Sequence, residues 1–182
     1  MERIEKLIMI GATGRNSGKT ELVTRLITIF SKKYPITGLK VSTYYGNDEQ
    51  YHGQNQEHLK ENFLVIKDTD VSAEKNTAKM LAAGATEVFW IKTNINNIDK
   101  ALAEFLTQKK NDTYIVCESN SLRKSIIPDI FIMIKNTTQQ IKDSAINVMK
   151  HADIIIESNG REFSNFDISS ISIENGKWNL KP

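Results

Sequence analysis

Short apolar runs and longer amphipathic segments alternate at the start of the chain. Residues 6–10 (KLIMI) form a compact apolar run, which is typical of a buried strand. In the next segment, 21–30, apolar residues recur at helical spacing, at Leu22, Val23, Leu26, Ile27 and Phe30. Pro35 cannot continue a helix, and 36–42 (ITGLKVS) predicts a second strand. The chain therefore opens with the order strand, helix, strand.

The rest of the chain keeps this alternation. A helix is predicted over 73–83, ending before Gly84. Apolar residues at helical spacing predict two further helices, one containing Ile98, Ala101, Leu102, Phe105 and Leu106, the other containing Ile141, Ala145, Val148 and Met149. Strands are predicted over 87–92, 114–118, 130–134 and 153–157. Apolar strands separated by amphipathic helices are typical of a mostly parallel sheet that is covered on both faces. We therefore predict a three-layer α/β fold in a single domain over 1–182.

Two further segments complete the predicted organisation. The dipeptide Asn175-Gly176 separates two β-prone runs, which predicts an antiparallel hairpin over 169–180 at an edge of the sheet. The polar stretch 43–62 is long for a connection in a compact domain, and we predict a mobile loop there.

Composition narrows the class of protein. The chain has 182 residues, 40% of them hydrophobic and 25% charged, which is typical of a soluble globular domain. Its 24 basic and 22 acidic residues leave a formal charge of +2, so no basic field is predicted for nucleic acid. Cys117 is the single cysteine and cannot form an intrachain disulfide. No apolar run is long enough to cross a membrane, and we expect a cytoplasmic protein.

The segment 11–20 (GATGRNSGKT) lies between the first predicted strand and the first predicted helix. Gly18, Lys19 and Thr20 supply the second half of a Walker A loop, G-x-x-x-x-G-K-[ST]. Thr13 occupies the position of the first Walker glycine, and Gly14 follows it. A strand before the loop and a helix after it are the context that this motif requires. The segment therefore predicts a phosphate-binding loop rather than an ordinary glycine-rich turn.

The backbone of this loop is predicted to bind phosphate. Gly14 and Gly18 let backbone N–H groups approach phosphate oxygens without a Cβ in the way. Asn16 and Ser17 would contribute further backbone donors. The helix that follows directs the positive end of its dipole at the same phosphates.

Three side chains of the loop have predicted roles. Lys19 would reach the β- and γ-phosphates and act in catalysis, and the hydroxyl of Thr20 would bind Mg²⁺. Arg15 lies at the loop tip and would contact phosphate in this subunit or across a dimer; the alternative is a solvated surface arginine.

A second acid is expected near the loop to bind Mg²⁺ or orient water. Glu118 ends an apolar strand, YIVCE, at the sheet edge where open α/β folds bind ligands, and we predict it as catalytic residue and metal ligand. Ser119, Asn120 and Arg123 follow it and could contact the same ligand. The alternative for Glu118 is a solvated glutamate at a strand end.

Other residues give weaker signals. Asp68 and Asp70 could offer carboxylates to Mg²⁺, although exposed loop aspartates are the more usual outcome. The guanine-recognition pattern [NT]-K-x-D would fall at residues 134–137, where Ile134 and Thr137 occupy its outer positions. The sequence therefore does not choose between GTP and ATP.

The chain resembles the molybdopterin-guanine dinucleotide biosynthesis protein B family of P-loop proteins. The resemblance lies in four segments, NSGKTELVTRLI, ITGLKVST, NTAKMLAAGATEVFW and YIVCESNSL. It implies a P-loop NTPase-like fold and a Mg²⁺-dependent adaptor that hydrolyses GTP slowly. It further implies a molybdenum cofactor nucleotidyltransferase as partner, and frequently a homodimer. It places Gly18, Lys19 and Thr20 on phosphate and Mg²⁺, with Glu118 facing them.

A second resemblance gives an alternative function. The loop from Gly11 through Gly18 also resembles that of dethiobiotin synthetases, which implies an ATP-dependent small-molecule kinase or ligase. A third hypothesis is a binding module whose loop holds nucleotide without consuming it.

Overall fold

The computed structural model describes residues 1–44, 63–72, 74–164 and 166–181. Most of the predicted loop over 43–62 lies outside these residues. The prediction was wrong at its beginning, because Thr43 and Tyr44 continue a strand of the central sheet.

The apolar runs form a central sheet of eight strands. These are β2 (Leu7–Ala12), β3 (Ile36–Tyr44), β4 (Leu64–Asp68), β5 (Glu87–Asn94), β6 (Tyr114–Glu118), β8 (Ile130–Asn136), β9 (Ile154–Ser158) and β10 (Phe163–Ser164). Their order is β10-β9-β8-β2-β6-β3-β5-β4, with six parallel strands inside and an antiparallel strand at each edge. The first strand along the chain, β1 (Glu2–Arg3), pairs with β7 (Ile126–Ile127) in a separate small sheet.

Helices cover both faces of the sheet, as predicted. The described helices are α1 (Lys19–Phe30), α2 (Asn76–Ala82), α3 (Ile98–Gln108) and α4 (Asp143–Met149). Side chains of β2 alternate between two cores: Ile8 and Ile10 pack with α1 and α2, whereas Leu7 and Met9 pack with α3 and α4. Burying each such side chain contributes roughly 1.5–3 kcal/mol, which makes the middle of the sheet a rigid support for its loops. No helix in the described part of the chain is long and apolar enough to span a bilayer.

The C-terminal hairpin forms, but its predicted place at a sheet edge was wrong. Strands β11 (Ile171–Glu174) and β12 (Lys177–Leu180) pair only with each other, across a turn with positive φ at Asn175 and Gly176. The buried ring of Trp178 explains the location. It packs edge-to-face on Phe30, with centroids 4.8 Å apart, and on Tyr114, at 5.9 Å. Aromatic burial therefore holds the hairpin against the α1 face of the core.

Candidate phosphate-binding site

The predicted phosphate loop connects β2 to α1 at the carboxyl edge of the parallel strands. Gly18 precedes α1 with φ +87°, a left-handed conformation that favours glycine, and no side chain caps the helix. The first N–H groups of an α-helix have no acceptor within the helix. This end of α1 therefore presents backbone donors and its positive dipole end toward the loop.

Thr13, at the first Walker position, directly follows the end of β2 and is fully buried. Its backbone N–H donates to the carbonyl of Ile134 at 2.9 Å, and its carbonyl accepts from the N–H of Lys142 at 2.9 Å. Its hydroxyl accepts from the N–H of Asn136 at 2.8 Å. A glycine would lack this last hydrogen bond. Thr13 therefore joins the base of the loop to the segments on one side of β2.

Asn120 joins the loop to the other side of β2. Its side-chain amide donates to the carbonyl of Ala12 and accepts from the N–H of the same residue, both at 2.8 Å. A Cβ on Gly11 would approach Oδ1 of Asn120 to 2.7 Å, so the glycine makes room for this pairing. The sequence suggested Asn120 as a ligand contact, whereas in the structure its amide bonds to the backbone just before the loop.

Asn136 holds the interior of the loop. Its Nδ2 lies 3.4 Å from both the carbonyl of Arg15 and the hydroxyl of Ser17, and it donates to both. Its Oδ1 accepts from the N–H and the hydroxyl of Thr138, at 2.9 and 2.8 Å. The Asn136 side chain thus supports the loop, a role that its place just after a predicted strand did not reveal.

The tip of the loop is supported by Gln139. Its Oε1 accepts from the backbone N–H of Arg15 at 3.2 Å. A Cβ on Gly14 would approach the same oxygen to 2.6 Å. The side chain of Arg15 and the neighbouring Asn16, with φ +49°, lie exposed at the tip.

The predicted metal ligands are in direct contact. The hydroxyl of Thr20 donates to Oε2 of Glu118 at 3.0 Å. Glu118 is 7% exposed and also accepts from Nδ2 of Asn76, at 3.4 and 3.5 Å. Asn76 begins α2, and the sequence did not single it out. A carboxylate and a hydroxyl thus lie together at the start of α1, separated by 98 positions along the chain.

Lys19 lies beside this pair, half-buried at the first position of α1. Burial lowers the pKa of its ammonium group, the negative charge of Glu118 raises it in part, and Lys40 lowers it further. The net effect is a pKa below the ordinary lysine value. A bound phosphate would add negative charge beside this half-buried cation and so favour its charged form.

The site opens into a cleft of about 1080 Å³. Its walls come from the phosphate loop, the end of β3, the segment after β6, and the segment that leads into α4. Among the described residues, five cationic side chains line it, Arg15, Lys19, Lys40, Lys124 and Lys142, with two acidic ones, Glu118 and Asp143. The cleft is therefore suited to anionic ligands.

Other residues from the sequence analysis lie in different surroundings. The buried guanidinium of Arg123 donates to the carbonyl of Ile126 at 3.0 Å and lies over the ring of Phe131. Asp68 accepts from the hydroxyl of Thr77 at 2.6 Å, and Asp70 accepts from Ser72. Cys117 is buried in β6, and burial raises the pKa of its thiol.

Comparisons with known proteins identify the fold. The sequence matches no protein-family model and no curated protein. The chain resembles a crystal structure of LpxK from Aquifex aeolicus in complex with ATP, with a TM-score of 0.55 and 13% identity. The match covers 92% of this chain and 53% of the other, so the chain spans about half the length of that protein. This similarity confirms the predicted α/β, P-loop NTPase-like fold.

Proposed function

We propose that the protein binds a nucleoside triphosphate, GTP or ATP, with Mg²⁺ and hydrolyses it slowly. One observation carries this proposal: Lys19 and the hydrogen-bonded pair of Thr20 and Glu118 meet at the uncapped start of α1. Phosphate-binding loops use an ammonium group, a hydroxyl and helix N–H groups in this arrangement.

The donor set fits Mg²⁺. Thr20 and Glu118 offer a hydroxyl and a carboxylate oxygen, the hard ligands that this ion prefers. Within the described residues, no group of three or more histidine, cysteine, aspartate or glutamate side chains forms another metal site. Mg²⁺ bound in proteins by one or two side chains uses phosphate oxygens and water for its remaining ligands. When bound, it would neutralise charge on the β- and γ-phosphates.

The chain's own residues would perform the remaining steps. In hydrolysis, the oxygen of water forms a bond to the γ-phosphorus, and the bond from that phosphorus to the β–γ bridging oxygen breaks. The products are the nucleoside diphosphate, inorganic phosphate and one proton. Lys19 would neutralise charge that develops on the phosphate oxygens. Glu118 would orient Thr20, and Asn120 and Asn136 would keep the loop in its binding geometry.

The finer role that we propose is an adaptor in molybdenum cofactor biosynthesis or a related metal-cofactor assembly. It is supported by the resemblance of four segments to the molybdopterin-guanine dinucleotide biosynthesis protein B family. The partner would be a molybdenum cofactor nucleotidyltransferase, and the protein would act as a homodimer in which Arg15 contacts phosphate in its own or the other subunit.

A second candidate is an ATP-dependent small-molecule kinase or ligase. The cleft of about 1080 Å³ is in keeping with this candidate, because its volume is close to the upper end of the range for small-molecule sites. The ATP complex of the similar structure is in keeping with ATP as the donor.

Release of phosphate from Mg-ATP and Mg-GTP would test the proposal. We expect slow turnover that Lys19→Ala abolishes and that Lys33→Ala, an exposed lysine beyond the far end of α1, leaves unchanged. Turnover unaffected by Lys19→Ala would disprove the proposed hydrolysis. A thermal shift with nucleotide but no product would instead indicate a non-catalytic binding module. Strong stimulation by a small acceptor would favour the kinase or ligase.

A further inference from the structure

We infer that Asn76 is a positioning residue of the candidate metal site, and that its side-chain amide holds the carboxylate of Glu118 in place for Mg²⁺. The inference rests on the proposed function, because it takes Thr20 and Glu118 as the side chains that would bind Mg²⁺ and asks what fixes the orientation of Glu118.

The amide of Asn76 contacts both oxygens of the Glu118 carboxylate. Its Nδ2 lies 3.4 Å from Oε2 and 3.5 Å from Oε1, and it donates to both. In the described part of the chain, both side-chain hydrogen bonds of Asn76 therefore go to Glu118. The terminal torsion of a glutamate has only broad preferences of its own. Contact with both oxygens restricts this rotation, so the carboxylate faces Thr20 in one orientation.

The same contacts leave the carboxylate able to bind a metal ion. An ionised carboxylate has about four acceptor sites. Thr20 contacts one oxygen and Asn76 contacts both, which makes three contacts. The distances from Nδ2 are longer than the usual N–H···O distance of about 2.9–3.0 Å, so this donor orients the carboxylate without binding it tightly. Donors that hold a metal ligand in this way commonly tune metal affinity.

The beginning of α2 is a fixed support for Asn76. The hydroxyl of Thr77, the next residue, donates to Oδ2 of Asp68 at the end of β4, at 2.6 Å. Thr77, Ala78 and Met80 are buried, whereas Asn76 itself is half-buried. The packing of α2 therefore directs the amide of Asn76 at Glu118 before any ligand binds.

A purely structural role for Asn76 in α2 predicts a different result of substitution. Alanine is a better helix former than asparagine, so Asn76→Ala should not weaken α2 by itself. The substitution does remove the amide that contacts Glu118. The two roles are therefore separated by a measurement of metal dependence.

The test measures the affinity of the full chain for a β,γ-imido nucleoside triphosphate, once in EDTA and once with saturating Mg²⁺. The ratio of the two dissociation constants reports how strongly metal and nucleotide binding are coupled. We expect Asn76→Ala to lower this ratio about 3- to 10-fold and to change the dissociation constant in EDTA less than about 2-fold. Asn76→Leu should do the same, and it fills the space that a water molecule could occupy in the alanine variant.

The control is Asn111→Leu, at an exposed turn, which should leave the ratio unchanged. Glu118→Gln then shows whether Asn76 acts through Glu118. The ratio should already be low in Glu118→Gln, and adding Asn76→Ala should not lower it further. An equal further decrease would overturn the inference, and so would a wild-type ratio in both Asn76 variants.

Failure of the proposed function gives a different result. If the wild type does not bind the imido nucleotide, or if Mg²⁺ does not strengthen its binding, the proposed Mg-nucleotide site fails and the inference fails with it. Nucleotide binding that is strengthened equally by Mg²⁺ in the wild type and in the Asn76 variants would overturn the inference alone. Far-ultraviolet circular dichroism of each variant would establish that it is folded.

Discussion

The hydroxyl of Thr20 donates a hydrogen bond of 3.0 Å to Glu118, although Thr20 lies in the first turn of α1 and Glu118 ends β6. This pair connects the phosphate loop to the middle of the parallel sheet. Substituting Thr20→Val would remove the hydroxyl at nearly constant volume. We expect turnover of Mg-nucleotide to fall about 10- to 100-fold and the required Mg²⁺ concentration to rise.

The control for this substitution is Thr28→Val, at an exposed position two turns along the same helix. Phosphate release measured against Mg²⁺ concentration compares the two variants. An unchanged Mg²⁺ dependence in Thr20→Val would remove Thr20 from the metal site.

In the absence of ligand, the charged side chain of Lys19 should lower the free energy of unfolding. Its folded pKa lies below the unfolded value of about 10.4, so the folded protein binds the Lys19 proton more weakly than the unfolded chain does. The resulting penalty is complete below the lowered pKa and disappears as the pH rises toward 10.4. We therefore expect Lys19→Met to raise the free energy of unfolding at pH 7, and this gain to shrink between pH 7 and 10.4.

Urea denaturation at several pH values would measure this effect, with Lys33→Met as the control at an exposed lysine. The same Lys19 variant should lose the thermal stabilisation that Mg-nucleotide gives to the wild type. A gain in stability that does not vary with pH would show that charge burial at Lys19 is not its cause.

Gly18 should be intolerant of a side chain for two separable reasons. Its φ of +87° costs a non-glycine residue roughly 1–2 kcal/mol, and a Cβ there would lie 2.8 Å from the ring of Phe163. Gly176 has φ +76°, and a Cβ at that position would have no atom within 4 Å, so Gly176→Ala carries only the first cost. We expect Gly18→Ala to lower the free energy of unfolding more than Gly176→Ala does.

A double-mutant cycle with Phe163→Ala would isolate the steric part. Removing the ring should lessen the cost of Gly18→Ala by at least about 0.5 kcal/mol. If the two substitutions lower the free energy of unfolding additively, the ring of Phe163 shifts freely, and the backbone conformation alone requires glycine at position 18.

Asn120 should support both stability and nucleotide binding. Asn120→Ala would leave the N–H and the carbonyl of Ala12 without their 2.8 Å partners, a loss of about 1–3 kcal/mol in the free energy of unfolding. Nucleotide affinity should fall as well, since the loop begins at the next residue. Asn111→Ala, at an exposed turn, is the control. Full affinity in Asn120→Ala would show that the loop holds its geometry without this contact.

Glu87 should make stability sensitive to acid. Its carboxylate is buried, and burial by itself raises its pKa. The carboxylate accepts hydrogen bonds from Lys67 at 2.8 Å, from the N–H of Lys110 at 2.7 Å and from Thr37 at 3.1 Å. These bonds outweigh burial, so the pKa of Glu87 is lowered overall. A lowered folded pKa gives stability that is present above the unfolded pKa and lost as the pH falls through the folded one. We expect Glu87→Gln to destabilise the protein at pH 7 by about 1–3 kcal/mol.

The difference between the wild type and Glu87→Gln should shrink on acidification below about pH 4.3, the usual glutamate value. Chemical denaturation from pH 7 to pH 3 would follow it. A difference that stays constant over this range would exclude the charge of Glu87 as its source.

The fold class and the loop between β2 and α1 could be predicted from the sequence because both depend on local patterns. The period of apolar residues distinguishes strands from helices, and the spacing of Gly18, Lys19 and Thr20 is a property of one short segment. Its position at the end of an apolar strand likewise made Glu118 a candidate metal ligand, and in the structure Glu118 accepts a hydrogen bond from Thr20.

The contacts that shape the loop could not be predicted in this way. Asn120 and Asn136 lie more than 100 residues from the loop they hold, and they reach it only because β6 and β8 are the neighbours of β2. The hairpin likewise lies on the α1 face because Trp178 finds Phe30 and Tyr114 there.

Local patterns in the sequence thus predicted the six parallel strands, the four helices, the C-terminal hairpin and the chemistry of residues 14–20. The tertiary structure alone decided which distant side chains support them and that Lys40, Lys124 and Lys142 share one cleft. The physical reason is that local conformational preference acts over a few residues, whereas the order of strands in a sheet depends on the packing of the whole core.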